Sequence, residues 1–549
     1  MLIEGLAGLG STPAPVCIVG SGPVGLALAV DLTKRGVRCI LLESGGLEPA
    51  PEIQSLSDAE RIEPRRHDDM RIAVARRLGG TSHLWGGRCL PFDPVDFMPR
   101  PGVDARWPVG YADMAAWLEP AVEATSSGAA VYRADRPLAP SADADFSADT
   151  LERWVNVQAS SALHRHVIRH DPLIEVRTHA TVTGMRFAEN GAVRSLEVKH
   201  SLSGEQVDLP VQHLVLATGG LETARLLLAA AGPDSGRFGS GEGPLGKTYM
   251  GHVIGEIADI VFTDAGTAKA MDFHIDAHGS YVRRRFVASA ETQLREGLLN
   301  AAFWPVVPPV SDARHGNAIL SLVYLALRDP RIGSRVVAEA IRQRHIPDPP
   351  PPVWPHVANL VTGLPGALMF SADFFRRRYF SRHRLPGFFV QNRARRYALA
   401  YHGEQVPDAR SRGLVELESR TGLGPPRAQA IDSRRLPPQD TRLLAATHDL
   451  MDHWLRRNGI GALEYAMPME EREAAILDQA SHGTHQIGLA RMGASRAEGV
   501  VDGNLQSFDA PNLHLAGCAV LPTSGQANPT LTAVALALRL GDRLARLVA

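Results

Sequence analysis

Apolar residues in this chain come in short unbroken runs, each closed by a glycine turn. Val16 to Val19 is such a run, rich in β-branched residues, and reads as a strand buried on both faces. Gly20-Ser21-Gly22-Pro23-Val24-Gly25 follows, then Leu26 to Lys34 with the composition of a helix lying on a sheet, then a second buried strand from Val37 to Leu42. Strand, glycine turn, helix and strand in this order predict a βαβ unit. Ile174 to Phe187 and Ser195 to Val198 read as further strands, with a turn at Asn190-Gly191 between them. His213 to Thr218 is another buried strand, followed by Gly219-Gly220 and a helix from Leu221 to Ala230. Near the C-terminus, Leu513 to Ala516 predicts a strand, Gly517-Cys518 a tight turn, and Pro529 the start of a helix through Leu544 with Asn528 at its N-cap position. Residues 436 to 458 carry helical periodicity, with Leu443, Leu444, Met451 and Leu455 on one side. There is no internal repeat.

The 549 residues exceed one typical domain, and two are expected. A net charge of −1 offers no bulk attraction for nucleic acid. Cys17, Cys39, Cys89 and Cys518 lie far apart without a CxxC pair, so neither a disulfide framework nor a zinc site is expected, and a reducing, cytoplasmic compartment fits. The N-terminus lacks the basic and apolar regions of a signal peptide. The most apolar long stretch, Val353 to Phe375, is interrupted by Pro355, His356, Pro365 and Asp373, and no transmembrane segment is expected. Arg376 to Arg396 is dense in arginine and aromatics. It reads as a solvated basic face, with a docking surface for a partner or membrane headgroups as the alternative.

The glycine turn carries the first chemistry. Gly20 and Gly22 let backbone approach a pyrophosphate, Gly25 lets helix and strand pack closely, and the phosphates sit at the helix N-terminus, where unpaired N–H groups favour anions. Glu43 lies where an acid bonds ribose hydroxyls. NAD and FAD share this fingerprint. The return of Val215 to Leu228 to the sheet, with its own glycine turn, suits a two-part FAD domain.

Three blocks then resemble the glucose-methanol-choline (GMC) oxidoreductases, flavoenzymes that oxidise alcohols: the GSGPVG unit, Arg77 to Arg88 (RLGGTSHLWGGR), and the end from His485 to Leu544 with its HxxGxxRMG, GVVD and NPTLT elements. Within that family the chain looks most similar to the sugar-oxidising, pyranose oxidase-like branch, and Glu404 to Arg412 (EQVPDARSR) is similar to a stretch of sugar dehydrogenases there. The resemblance implies an α/β fold: a Rossmann-like FAD-binding domain of the GMC or p-hydroxybenzoate hydroxylase type, with an α+β substrate domain on an antiparallel sheet. The expected division is 1–98, 165–255 and 485–549 for the FAD domain, and 99–164 and 256–484 for the substrate domain.

It also implies His485 as catalytic base and Asn528 as its partner; the spacing to Arg491-Met492-Gly493 favours His485 over His482, which reads as a residue supporting the site from behind or as a loop residue. A histidine accepts a proton near neutral pH, and an asparagine holds an alcohol oxygen without competing for that proton. FAD is expected on Gly20, Ser21, Gly22, Pro23, Gly25, Glu43 and Ser44, on Arg77, Gly79, Gly80, Ser82, Leu84, Trp85, Gly86 and Gly87, on Val182 and Ala217, and on Gly517, Cys518, Asn528, Pro529 and Thr530. Relatives that attach FAD covalently use a histidine where Leu84 falls, one position from His83, so non-covalent FAD is expected. The implied partners are a small-molecule alcohol and oxygen or another electron acceptor. Phe303, Trp304, Tyr324 and Gln405 are candidate pocket liners.

Overall fold

The computed structural model describes the chain apart from residues 13, 139–142, 233–235, 330–345, 347–348, 382, 388, 413–416, 419–426, 429, 432–435 and 481–482, with backbone alone for the short strands between 417 and 431. His482 lies outside the described residues.

The buried runs build a six-stranded parallel sheet, in the order Leu2–Glu4, Ile174–Thr178, Cys39–Leu42, Val16–Val19, His213–Leu216 and Leu513–Leu515. The central strands Cys39–Leu42 and Val16–Val19 are buried on both faces and need no polar alternation, which is why those two runs are uniformly apolar. The helix Pro23–Lys34 covers one face and packs against the C-terminal helix Thr530–Val548, where Gly541 lets the two approach. Helix Gly220–Ala231 follows the strand His213–Leu216. Beside this layer, Ala180–Phe187, Val193–His200 and Gln206–Pro210 form an antiparallel meander, with Gly191 in the left-handed region at the expected turn.

The second layer is an antiparallel sheet, ordered Gly461–Tyr465, His252–Phe262, Arg396–Glu404, Ala301–Val306, Tyr281–Ala288, Phe146–Trp154 and Arg88–Cys89, with His274–Ile275 on Tyr281–Ala288. Helix Pro438–Arg457 packs its apolar side, including Leu444, Met451 and Leu455, into this second core. The chain is thus α/β with an attached antiparallel domain.

Domain edges differ in detail from the sequence expectation. Strand His252–Phe262 runs across the break expected at 255, and Arg88–Cys89 pairs into the antiparallel sheet from within the first expected FAD segment. Helix Leu118–Thr125, expected with the substrate half, buries Leu118, Ala121 and Val122 in the core of the parallel sheet.

The stretch from Val353 is not interrupted. Trp354–Phe375 is one helix of 22 residues continuing into a wider turn, Arg376–Phe380. Pro355 lies in its first turn, where no backbone N–H is needed, and Pro365 is accommodated inside. Among the described residues it is the one helix long and apolar enough to cross a membrane.

Candidate active site

A cavity of about 1730 Å³ opens between the two sheets. That exceeds the span of about 300–1,000 Å³ usual for small ligands and leaves room for a dinucleotide together with a substrate.

Its first wall is backbone. Strand Val16–Val19 ends at Gly20, whose φ of +101° suits glycine and whose Cβ would meet the Ala217 carbonyl oxygen at 2.5 Å. A Cβ on Gly25 would lie 2.0 Å from the Gly20 carbonyl oxygen, so only glycine lets this helix start so close to the turn. Gly22 has open space where a Cβ would stand, and as N-cap of Pro23–Lys34 it leaves the first helical amides without a side-chain acceptor. Amides of that kind, facing a cavity, suit a pyrophosphate. Glu43, at the end of the next strand, accepts bonds from Ser21 N (3.1 Å), Ser21 Oγ (2.6 Å) and Gly45 N (2.8 Å) and sits on the cavity wall. These residues fit the adenosine and phosphate portions of FAD.

The second wall is made of side chains from the antiparallel sheet. Ile254 lies opposite His402, and Glu256 opposite Ala400, which in turn lies opposite Trp304. Two residues along a strand return to the same face, so this register gives a continuous surface toward the cavity. Arg88 closes it, its guanidinium 4.6 Å from the Trp304 ring centroid.

Where the walls meet, the candidate catalytic groups form a directed hydrogen-bond chain. Met250 and Ile487 exchange N–H···O bonds, both 3.0 Å. Moving two residues forward from Met250 and two back from Ile487 sets His252 opposite His485. His252 Nε2 lies 3.2 Å from the Ser524 carbonyl oxygen, His252 Nδ1 lies 2.9 Å from His485 Nδ1, His485 Nε2 lies 3.1 Å from Asn528 Nδ2, and Arg88 Nε donates to Asn528 Oδ1 at 2.6 Å. The two ends fix every direction. A carbonyl only accepts, so His252 carries its proton on Nε2 and accepts on Nδ1. His485 therefore donates from Nδ1 and keeps Nε2 unprotonated. Arg88 only donates, so Asn528 turns its oxygen to Arg88 and its amide protons to His485. The histidine is thus held as the tautomer a base requires, its unprotonated Nε2 accepting from Asn528 at the cavity wall.

The charge balance supports that state. Glu152 is fully buried and accepts from Arg88 Nη1 at 3.0 Å and from Arg283. Burial pushes its carboxyl up, but Arg283, Arg88 and Arg285 outweigh this and hold it below the ordinary value. His402 stacks on His252 with ring centroids 4.0 Å apart. Burial, and then His252, Arg88 and His485, push its pKa well below the usual imidazole value. It therefore stays neutral and adds no positive charge to the site. Ring nitrogens of His252, His402 and His485 come within 4.8 Å of one another, a metal-capable grouping that no spacing in the sequence announced. Ring nitrogens of His252 and His402 are engaged by the Ser524 and Gln526 carbonyls.

The structure places most of the expected cofactor residues on this cavity: Gly20, Ser21, Gly22, Pro23, Glu43 and Ser44; Gly80, Ser82, Leu84, Trp85, Gly86 and Gly87; Val182 and Ala217; Gly517, Cys518, Asn528 and Thr530. Gly25 and Gly79 stand behind the wall as packing positions. Arg77 turns away, bonded to the Leu47 carbonyl and paired with Glu48, and its neighbour Arg76 lines the cavity instead. The C-terminal helix begins at Thr530 with Pro529 as its cap, so Asn528 is free of capping and bonds His485 and Arg88. Burial pushes the Cys518 thiol up to about 12. His83 turns its Nε2 to the Leu78 carbonyl at 2.9 Å.

Of the four candidate liners, Trp304 alone reaches the cavity. Phe303, its strand neighbour, points into the opposite core. Tyr324 packs with Leu320 and Leu327 beneath helix Trp354–Phe375, and Gln405 accepts from Gly251 N. Sequence reasoning missed His252, His402, Arg88 and Glu152. Only Arg88 had a local signal, since it closes the glycine-rich block.

Comparison with known proteins agrees with this geometry. The GMC oxidoreductase family model matches residues 409–537, and an FAD binding domain model matches 13–48. The chain is 21% identical to 2-methyl-1,2-propanediol dehydrogenase of Mycolicibacterium austroafricanum, over 97% of this chain and 95% of that one. It is 23% identical to paromamine 6'-oxidase of Streptomyces fradiae, over 95% and 90% respectively. Pyridoxine 4-oxidase from Mesorbium loti superposes with a TM-score of 0.53 at 16% identity, covering 97% of this chain and 99% of that chain. With a GMC oxidoreductase domain over 409–537 and an FAD-binding segment over 13–48, the chain is an FAD-dependent oxidoreductase.

Proposed function

We propose that this enzyme oxidises a CH–OH group of a sugar, glycoside or aminocyclitol-type substrate to a carbonyl, with His485 as base. The observation that carries this reading is the chain from the Ser524 carbonyl through His252, His485 and Asn528 to Arg88, which leaves His485 Nε2 unprotonated at the cavity. A substrate hydroxyl that displaces the Asn528 amide from His485 Nε2 passes its proton to that nitrogen as the carbonyl forms. Asn528 holds the oxygen by a hydrogen bond. His252, by accepting from Nδ1, favours the charged imidazolium that results. Bound FAD supplies the acceptor for the hydride.

A polar substrate is supported by Glu256, Asp478 and Thr484 on the cavity lining, which offer acceptors for hydroxyl or ammonium groups. Of the relatives matched over most of the chain, the one named for paromamine supports a hydroxyl-rich substrate, and the one named for a propanediol supports an alcohol more generally. Non-covalent FAD is supported by Leu84 on the wall and by His83 turned to a carbonyl. A reducing, cytoplasmic setting is supported by four free cysteines, three of them buried.

The test is an anaerobic absorbance titration of the flavin-loaded protein with sugars, glycosides, aminoglycosides and aryl alcohols. Bleaching by the polyhydroxylated compounds is expected, and readmitting air reads whether oxygen is the acceptor. Bleaching by aryl alcohols alone would overturn the substrate class, and a protein that takes up no FAD would overturn the whole reading.

A further inference from the structure

Helix Trp354–Phe375 docks one face on the protein and turns an apolar face outward. The docked face is polar and well partnered. His356 is fully buried, bonded to Ser321 Oγ at 3.1 Å and stacked on Tyr324 with ring centroids 4.0 Å apart. Asn359 donates to the Ala313 carbonyl (2.9 Å) and to Ser321 Oγ (3.1 Å), and a Cβ on Gly363 would meet Ala318 at 2.8 Å. These positions share one side of a helix at 100° per residue. The opposite side carries Trp354, Val361, Leu364, Leu368, Met369 and Phe375, between 54% and 79% exposed, with Phe380 beyond them at 83%. Leu322 and Val323 of the underlying helix Ala318–Arg328 are exposed as well.

A contiguous apolar face of this size on a soluble surface calls for an occupant. The charge beside it selects one. Between 354 and 384 the sequence has five arginines and one acid, Asp373, although the whole chain is near neutral. Arg376 and Arg384 are exposed, and Arg376 and Arg377 share Asp373, leaving a net positive end to the helix. An apolar stripe bordered by arginines matches acyl chains beneath anionic headgroups. The hydrogen bonds of His356 and Asn359 hold the helix flat against the protein, so it fits an in-plane insertion and not a span.

We propose that this face seats the enzyme on one leaflet of a membrane containing anionic phospholipid. The helix end meets the substrate sheet: Arg377 donates to the Phe273 carbonyl (3.1 Å), and Phe273 packs edge-on against Trp154, which lines the cavity.

The test is vesicle flotation of the full flavin-loaded chain. With phosphatidylcholine vesicles containing phosphatidylglycerol, most of the protein floats. With phosphatidylcholine alone, or at high salt, the floating fraction falls at least fivefold. The Val361→Glu/Leu368→Glu/Met369→Glu variant loses flotation about tenfold while keeping its flavin content and melting temperature. The Arg376→Glu/Arg384→Glu variant loses the preference for anionic vesicles. Equal flotation of the apolar-face variant and the parent would overturn the proposal. So would absence of vesicle binding with a lipid-free dimer that the same variant dissociates, which would assign the face to a second copy of this chain.

Discussion

The two walls of the cavity recognise their ligands by different means. The wall on the parallel sheet works through backbone: at Gly20 and Gly25 almost any side chain would collide with a carbonyl, and open space at Gly22 exposes helical amides. The wall on the antiparallel sheet works through side chains, with Arg88, His252, His402, His485 and Asn528 converging from five separate segments. A backbone site tolerates little change and reads the shared phosphate and ribose groups of a cofactor. A side-chain site can vary from one relative to the next while the layer beneath it stays fixed.

Breaking the backbone wall has the largest expected effect. Gly25→Val drives a branched side chain into the Gly20 carbonyl, and no rotamer relieves a Cβ contact of 2.0 Å. We expect loss of flavin and of soluble protein, read by the absorbance of the purified fraction. A yellow, folded variant would contradict the packing described for this turn. On the side-chain wall, Asn528→Leu removes a donor to His485 and the acceptor of Arg88 Nε, with the Arg88–Glu152 pair kept. The rate of anaerobic flavin reduction should fall about 100-fold with flavin retained. His252→Leu removes the acceptor at His485 Nδ1 and frees the tautomer. A loss of about 10-fold is expected, together with a shift of the acid limb of the pH–rate profile, whereas a purely structural role would lower the melting temperature and leave that limb in place.

The smallest effect tests whether the two regions respond to acid together. His514 lies in the parallel sheet and His448 on the helix covering the antiparallel one, both fully buried. Burial lowers their pKa values, to about 3 and about 4. An unfolded histidine titrates near about 6.5, so between that value and the folded pKa the unfolded chain binds the extra protons. Stability from these groups is therefore complete above pH ~6.5 and is lost as pH falls toward about 4, by roughly 1–3 kcal/mol for each. Thermal melting across that range should show the decline, and His448→Gln should make it shallower. A melting temperature that is flat in acid would contradict the neutral burial of both rings.

The same contrast explains what could be read in advance. Val16–Val19, Cys39–Leu42 and His213–Leu216 were legible because strands buried on both faces are continuous apolar runs beside glycine turns. His485 and Asn528 were legible through their family motifs. His252 and His402 were not, because their relation rests on a register between residues far apart in sequence, and nothing local marks it. Arg77 was taken for its neighbour Arg76, a shift of one residue that backbone direction alone decides. The helix Trp354–Phe375 was misjudged because Pro355 and Pro365 look like breaks. One sits in the first turn and the other lies on the outward side, with Asn359 and Gly363 of the neighbouring turns fixed to the protein.

The most direct test of the central claim is the anaerobic rate of flavin reduction by a polyhydroxylated substrate, compared between the parent enzyme and His485→Ala. The variant should bind flavin normally, since His485 belongs to the side-chain end of the cavity, and its reduction rate should fall by about 10³-fold. A variant that retains flavin and is reduced as fast as the parent would contradict His485 as the base.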